Sequence, residues 1–329
     1  MFKPFHLLVL AGLGLGAWYF FSNYRIRGWE QLGLEPAKGD PSAPGSAAGR
    51  AASSLPPSQR TIRIASVNFG PLDQSKLARQ QVAGTLVQVI RKFDVVALQD
   101  VQARDQGPLV QLVEQVNAQG RHYDFAVPPQ VGRDLVRQYN AFVFDGDRIE
   151  IDRATIVAVD ERSGQFRHPP LAAAFRGRGP AETEAFTFTL VSVSTPSDRV
   201  DEELPALAAL YRTIRDRPVG ESSRREDDVI LLGTLGTDDA HLGPLQGLPN
   251  AACAISGVPS TTRANRLVDN ILFDRRATVE FTHRSGVLDL RREFNLTPQE
   301  EVQVSDHLPV WAEFSVFEGG EAGQVPAGR

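Results

Sequence analysis

The sequence predicts an α/β protein built as a four-layer α/β sandwich, two packed mixed β-sheets flanked by helices. Two observations carry that expectation. Short apolar runs dominate residues 60–317, and many are continuously apolar, as expected of strands covered on both faces. Between them lie segments whose apolar residues recur at helical spacing, so helices are available to cover the outer faces.

In chain order the expected strands are Ile62–Val67, Val95–Leu98, Ala141–Phe144, Ala154–Val159, Phe186–Val193, Val229–Leu232, Leu267–Phe273 and Val310–Val316. Leu77 to Arg91 reads as a helix because Val82, Leu86, Val89 and Ile90 share one face, and Leu109 to Val116 reads likewise. Leu204 to Ile214 aligns Leu207, Leu210, Tyr211 and Ile214 on one side. No internal repeat at solenoid-like periods is present.

Composition narrows the function classes. The 329 residues suffice for one large domain or two small ones, with 42% apolar residues and a mean hydropathy of -0.22, too polar for a polytopic membrane protein. Net charge is -5 and the sequence pI is about 5.8, so the chain lacks the overall basic footprint of a non-specific nucleic-acid binder. With Cys253 as the single cysteine there is no intrachain disulfide framework, and stability rests on the core. No P-loop, zinc-spaced Cys/His cluster or Gly-x-Ser-x-Gly elbow occurs.

Outside the domain the sequence changes character. Pro4 to Phe21 is almost wholly apolar, and roughly 18 residues is the lower limit for a helix that spans a bilayer core. It ends in Trp18-Tyr19-Phe20-Phe21, aromatics that suit a membrane interface better than a signal-peptidase site. Residues 1–30 are therefore expected to be an N-terminal membrane anchor, in preference to a cleaved signal, with the domain on the extracytoplasmic side. Lys3 and Arg25/Arg27 flank the run on both sides and give orientation little charge bias. Residues 31–59, rich in Pro, Ala, Gly and Ser, read as a flexible linker, and 318–329 as a disordered tail.

Five segments carry the chemistry. They are Ile62-Arg63-Ile64-Ala65-Ser66-Val67-Asn68, Phe93-Asp94-Val95-Val96-Ala97-Leu98-Gln99-Asp100, Thr189 to Pro196, Val229 to Gly236, and Val304-Ser305-Asp306-His307-Leu308-Pro309. In order and spacing they resemble the endonuclease/exonuclease/phosphatase family, which includes pancreatic-type deoxyribonuclease. The resemblance covers nearly all of 60–317 and implies the same four-layer sandwich. It also implies a phosphodiester substrate, nucleic acid among the candidates, and a divalent metal, usually Mg²⁺. Such chemistry needs charge neutralisation at the phosphoryl oxygens, a nucleophile made from water, and in-line positioning.

By resemblance, Asn68 lies near metal and phosphate, and Asp100 stands where the family has a glutamate metal ligand. Aspartate is one methylene shorter, so its carboxylate falls roughly 1.5 Å short. The metal set implied is Asp100, Asn68 and Asp306. Asp306-His307 matches the family's terminal pair, with His307 as general base and Asp306 as its orienter, and Asp269 matches an aspartate supporting the base or phosphate. Tyr139 matches a tyrosine ahead of the substrate-facing strand and joins the catalytic candidates. Arg137, upstream of that strand beside Arg133, and Thr262, in the turn before Leu267, complete the substrate-binding set. His122, His168 and His283 have no motif around them and read as surface or capping histidines.

Three positions depart from the family pattern. Ser194 replaces a histidine that assists hydrolysis, and serine has no usable pKa near neutrality. Thr234 and Gly236 replace the aspartate and asparagine of Gly-Asp-x-Asn. Each such loss typically costs on the order of 10² to 10⁴ in rate, and the losses do not simply add. The expectation is a membrane-tethered, catalytically impaired member acting as a binding or structural module. The alternative is a Mg²⁺-dependent phosphodiesterase or nuclease with an altered site, drawing on Asp238, Asp239 or His241. A pure protein-interaction module is the third reading, with no partner indicated.

Overall fold

Among the described residues, the apolar runs fold into two six-stranded sheets. The computed structural model describes residues 55–129, 137–159, 164–216, 227–263 and 265–321. The expected anchor, most of the linker and 322–329 of the tail lie outside the described residues. Among the described residues no helix is long and apolar enough to cross a membrane.

In chain order the strands are β1 (Thr61–Leu72), β2 (Val95–Ala103), β3 (Tyr123–Ala126), β4 (Arg137–Asp145), β5 (Ile149–Ala158), β6 (Leu171–Gly177), β7 (Thr187–Ser194), β8 (Val229–Thr234), β9 (Ala251–Cys253), β10 (Asp269–Asp274), β11 (Phe281–Val287) and β12 (Val310–Ser315). The α-helices are α1 (Gln74–Leu77), α2 (Gln80–Ile90), α3 (Gly107–Asn117), α4 (Val200–Asp216), α5 (Leu290–Phe294) and α6 (Pro298–Val304). The first sheet runs β11-β12-β1-β2-β4-β3 and the second β5-β6-β7-β8-β10-β9.

Each sheet is mixed, and each centres on one parallel pair joined through helices: β1 with β2, and β7 with β8. The other pairings are antiparallel. Three apolar layers hold the four-layer stack together. The middle one lies between the sheets, with Ile62, Ile64, Phe142, Phe188 and Phe314 fully buried. Helices α1–α3 close the outer face of the first sheet through Leu86, Ile90 and Leu112, and α4 closes the second through Leu207 and Tyr211. This is the architecture the sequence predicts.

The inward faces of the parallel strands change polarity along their length. On β1 they run Ile62, Ile64, Ser66, Asn68; on β7, Phe186, Phe188, Leu190, Ser192, Ser194. Phenylalanines fill the apolar end, Phe175 stacking on Phe188 at 5.8 Å between ring centres. At the polar end Gln99 bridges the sheets: its Oε1 accepts from Ser66 Oγ at 3.1 Å and its Nε2 donates to Ser192 Oγ at 3.1 Å. Asn140 adds a second bridge, Nδ2 to Ser192 O at 3.1 Å. Buried amides need such partners, so the polar end holds one register and leaves the strand tips facing each other.

Strands β3, β6, β9 and β11 and the short helices α1, α5 and α6 are not among the expected elements. β6 was not expected; Leu171-Ala-Ala-Ala-Phe is as compatible with a helix as with a strand, and its place between β5 and β7 decides the matter. β9 and β11 pair with one neighbour each at or near the sheet edges, where pattern is weakest. Leu55, placed by composition in the linker, packs against the inter-sheet layer, and Gly319, placed in the tail, donates its N–H to Glu280 Oε1 at 2.7 Å.

Candidate active site

The C-terminal ends of β1, β2, β7 and β8 carry Asn68, Asp100, Ser194 and Thr234. The start of β10 and the approach to β12 bring Asp269 and His307 to the same end. Parallel strands point their carboxyl ends the same way, so pairing alone gathers these residues. A cleft of about 320 Å³ opens there, lined by Asn68, Ser194, Thr234, Gly236, His168 and His307 among others.

A hydrogen-bond relay runs along one wall. Asn68 Nδ2 donates to Thr234 Oγ1 at 3.1 Å, and Thr234 Oγ1 donates to Asp269 Oδ1 at 2.6 Å. Asp269 takes His307 Nδ1 at 2.8 Å on Oδ2 and 3.0 Å on Oδ1. Ser260 Oγ adds 2.7 Å to Asp269 Oδ2, and receives the Val268 and Asp269 N–H groups at 3.0 Å each. Asp269 is 3% exposed, so this ring of donors is what permits a buried carboxylate. With Nδ1 engaged, Nε2 is the ring atom of His307 left for the cleft.

Burial pushes the His307 pKa down, but the Asp269 hydrogen bond and the charges of Asp269, Asp306 and Asp100 outweigh it, and the net shift is upward. The orienter of His307 is therefore Asp269 and not Asp306. Loop 260–262 zips to 306–308 through Thr262 N to Asp306 O (2.9 Å) and Leu308 N to Ser260 O (2.7 Å). The chain bends at Asp306, and the ring of His307 turns to Asp269 while the Asp306 carboxylate turns toward Lys76.

Asp306 is exposed and faces Lys76 and Asp100 instead. Gly70 lies between: a Cβ built there would sit 3.7 Å from Lys76 Nζ and 3.8 Å from Asp306 Oδ1. Lys76 is 7% exposed, donates to Phe69 O, and burial with the Arg79 charge pulls its pKa down to about 8, against the pull of Asp306, Asp100 and Asp73. Asp100 sits at a β-bulge with φ 58° and accepts Gln102 Nε2 at 3.0 Å; burial raises its pKa despite that bond and Lys76.

Of the expected metal set, Asp100 and Asp306 are suitable donors for a hard divalent cation, which takes one or two carboxylates and keeps waters. Asn68 is not free to join them. Its Oδ1 accepts Gly70 N–H at 2.8 Å and its Nδ2 is engaged on Thr234. A partner-committed amide and a buried ammonium make this a less complete cation site than three ligands would be.

Other candidates lie elsewhere. Tyr139 is 6% exposed and packs in the layer under α2 and α3, donating its hydroxyl to Asp105 O at 3.2 Å. Its strand neighbour Asn140 takes the inter-sheet face, as alternation requires. The Tyr139 hydroxyl, its pKa raised by burial, is a core group and not a cleft acid. Thr262 donates its Oγ1 to Asp306 O at 3.2 Å and lines a separate hollow with Arg263, so it braces the His307 loop. Arg137 opens β4, and its side chain lies outside the described residues. Asp238 pairs with His241 at 2.6 Å and Asp239 accepts from Ser256 at 2.6 Å; none of the three lines the cleft.

Of the three departures, Thr234 belongs to the relay, and Ser194 and Gly236 line the cleft beside it. Ser194, 9% exposed at the tip of β7, faces the cleft. Gly236 turns the chain after β8 with φ 72°, and a Cβ there would meet Val200 Cγ2 at 2.7 Å. Gly233, φ 147°, is held so close to β7 that any side chain would run into Val193 O. Sequence reasoning missed Gln99, Ser260, Lys76 and His168. Nothing in their local sequence marks them, because what each faces is set by how the sheets and loops pack.

No family model matches the sequence. Among curated proteins, deoxyribonuclease-1-like 1 of Cricetulus griseus is 27% identical over 266 residues, covering 77% of this chain and 84% of that protein. Among solved structures, D. rerio TDP2 complexed with single strand DNA product aligns with TM-score 0.54 and 17% identity, over 78% of this chain and 99% of that one. The endonuclease/exonuclease/phosphatase from Bacteroides vulgatus aligns with TM-score 0.52 and 17% identity, over 78% and 99%. Two mixed sheets with a cleft at the tips of their parallel strands, the Asp269–His307 pair within it and this likeness over the domain agree: the chain has the deoxyribonuclease I-like fold and resembles the endonuclease/exonuclease/phosphatase proteins.

Proposed function

We propose that the cleft binds a phosphodiester, that of a nucleic acid, and that its hydrolytic power is impaired. The observation that carries this reading is the contrast within one cleft between His307, held by a buried carboxylate, and Ser194, which lines the same cleft. The relay fixes the His307 tautomer with Nδ1–H on Asp269, so Nε2 can take a proton from water as its oxygen bonds to phosphorus. The departing oxygen then needs a proton, and the hydroxyl of Ser194 is too weak an acid to supply it. A divalent cation held by Asp100 and Asp306 would neutralise charge on the phosphoryl oxygens. The acidic net charge makes such a cation more useful for admitting a polyanion. Nucleic acid is favoured as the phosphodiester because the curated relative is named a deoxyribonuclease and TDP2 was solved with a DNA product. We place the domain on a membrane tether, outside the cytoplasm, on the strength of the apolar Pro4–Phe21 run.

The test uses the full chain with plasmid DNA and a single-stranded oligonucleotide, in Mg²⁺ and in Mn²⁺. Saturable binding is expected, with turnover at least about 10²-fold below a deoxyribonuclease-1-like relative assayed alongside, and with that residue lost in His307→Ala. Turnover equal to the relative's overturns the impairment. Absence of saturable binding by the folded protein overturns the binding reading itself.

A further inference from the structure

His307 is not the only imidazole in the cleft. His168 also lines it, on the side of Ser194, although nothing in its local sequence marks it as a site residue. Its position is built. Glu203, 1% exposed at the start of α4, accepts the Arg167 N–H on Oε1 at 2.8 Å and is hydrogen-bonded by the Thr195 side chain. One buried carboxylate thus ties the residue before His168 to the residue after Ser194. On the other side Pro169 and Pro170 restrict the backbone, and Pro170 O accepts Val159 N–H at 2.8 Å. The half-buried ring itself has no hydrogen-bond or ion-pair partner among the described residues.

A ring held this firmly by its neighbours, yet left unpartnered where a ligand enters, has its hydrogen-bonding capacity in reserve. Burial, reinforced by the Arg167 charge, lowers its pKa and keeps it neutral near neutral pH. A neutral imidazole still offers one N–H donor, and a preorganised donor in a sheltered cleft acts on developing phosphoryl charge without proton transfer.

We propose that His168 is a substrate-contacting residue, donating an N–H to a non-bridging oxygen of the phosphodiester from the wall that carries Ser194. The inference rests on the cleft binding a phosphodiester, and the test separates the two. Ring-labelled histidine in the full chain gives resonances for six histidines, and those of His168 and His307 are identified by their loss in His168→Gln and His307→Gln. The probe is thymidylyl-thymidine, which carries one phosphodiester. The His168 and His307 resonances are expected to move with one half-saturation concentration while the exposed His122 and His241 stay still. Movement of His307 alone overturns the assignment of His168 and leaves the binding reading standing; movement of neither overturns both. A second measurement is affinity for the same dinucleotide. His168→Ala is expected to weaken it about tenfold, and His168→Gln, which keeps an N–H donor, to recover most of the loss. Equal affinity of wild type and His168→Ala overturns the proposal.

Discussion

Two neighbouring sets of residues at the same strand tips have opposite characters. In one, Asn68, Thr234, Asp269, Ser260 and His307 form a relay with hydrogen bonds of 2.6 to 3.1 Å. In the other, Ser194 and Gly236 line the cleft with small side chains outside that relay. The difference shows that a small side chain at a strand tip is not the same feature everywhere. Thr234 is built in: its hydroxyl sits 2.6 Å from Asp269 Oδ1, where an aspartate would press a second carboxylate against a buried one. Gly236 is packed over by Val200. Ser194 lines the cleft without joining the relay.

Breaking the relay is expected to have the largest effect. Asp269→Ala removes the partner of His307, Thr234 and Ser260 at once and should cost about 3–5 kcal/mol in denaturant unfolding. A loss below about 1 kcal/mol would mean the relay contributes little to the fold. The same pair makes a pH-dependent prediction. The folded-state pKa of His307 lies above its ordinary value of about 6.5, so the stabilisation is fully present below that value and fades as pH rises through the folded pKa. The stability difference between wild type and His307→Gln should follow that course, and a difference that grows with pH would contradict it.

Thr234→Val keeps the shape but strips the hydroxyl, leaving Asn68 Nδ2 and Asp269 Oδ1 one partner short, at an expected cost of about 1–3 kcal/mol. Gly236→Ala should cost about 1–2 kcal/mol from its left-handed backbone, with Val200 having to move aside. The smallest change belongs to Ser194. Ser194→Ala is expected to stay within about 0.5 kcal/mol of wild type, since the hydroxyl forms no hydrogen bond among the described residues. A thermal-unfolding series across these variants checks the ranking.

Much of this was legible in the residues. The alternation along β1 and β7 already separates an apolar end from a polar one, and the missing imidazole at Ser194 is visible without any structure. Both are local: side-chain direction in a strand follows from chain parity, and residue identity needs no partner. The misreadings were non-local. Asp306 adjoins His307 in sequence, yet the ring bonds Asp269, 38 residues away, because the bridge between Thr261 and His307 sets the ring beside β10. Tyr139 fell one residue out of phase, on the helix-covered face of its strand.

By itself, then, the sequence determined eight of the twelve described strands, the three longest helices, the family resemblance and the serine at the end of β7. Tertiary structure decided who partners whom: that Thr234 now serves Asp269, that Lys76 shares the space of Asp100 and Asp306, and that His168 reaches the cleft. The physical reason is that covalent geometry sets direction over one or two residues. A buried charge or donor is satisfied only by whatever the closed sheets bring within about 3 Å of it.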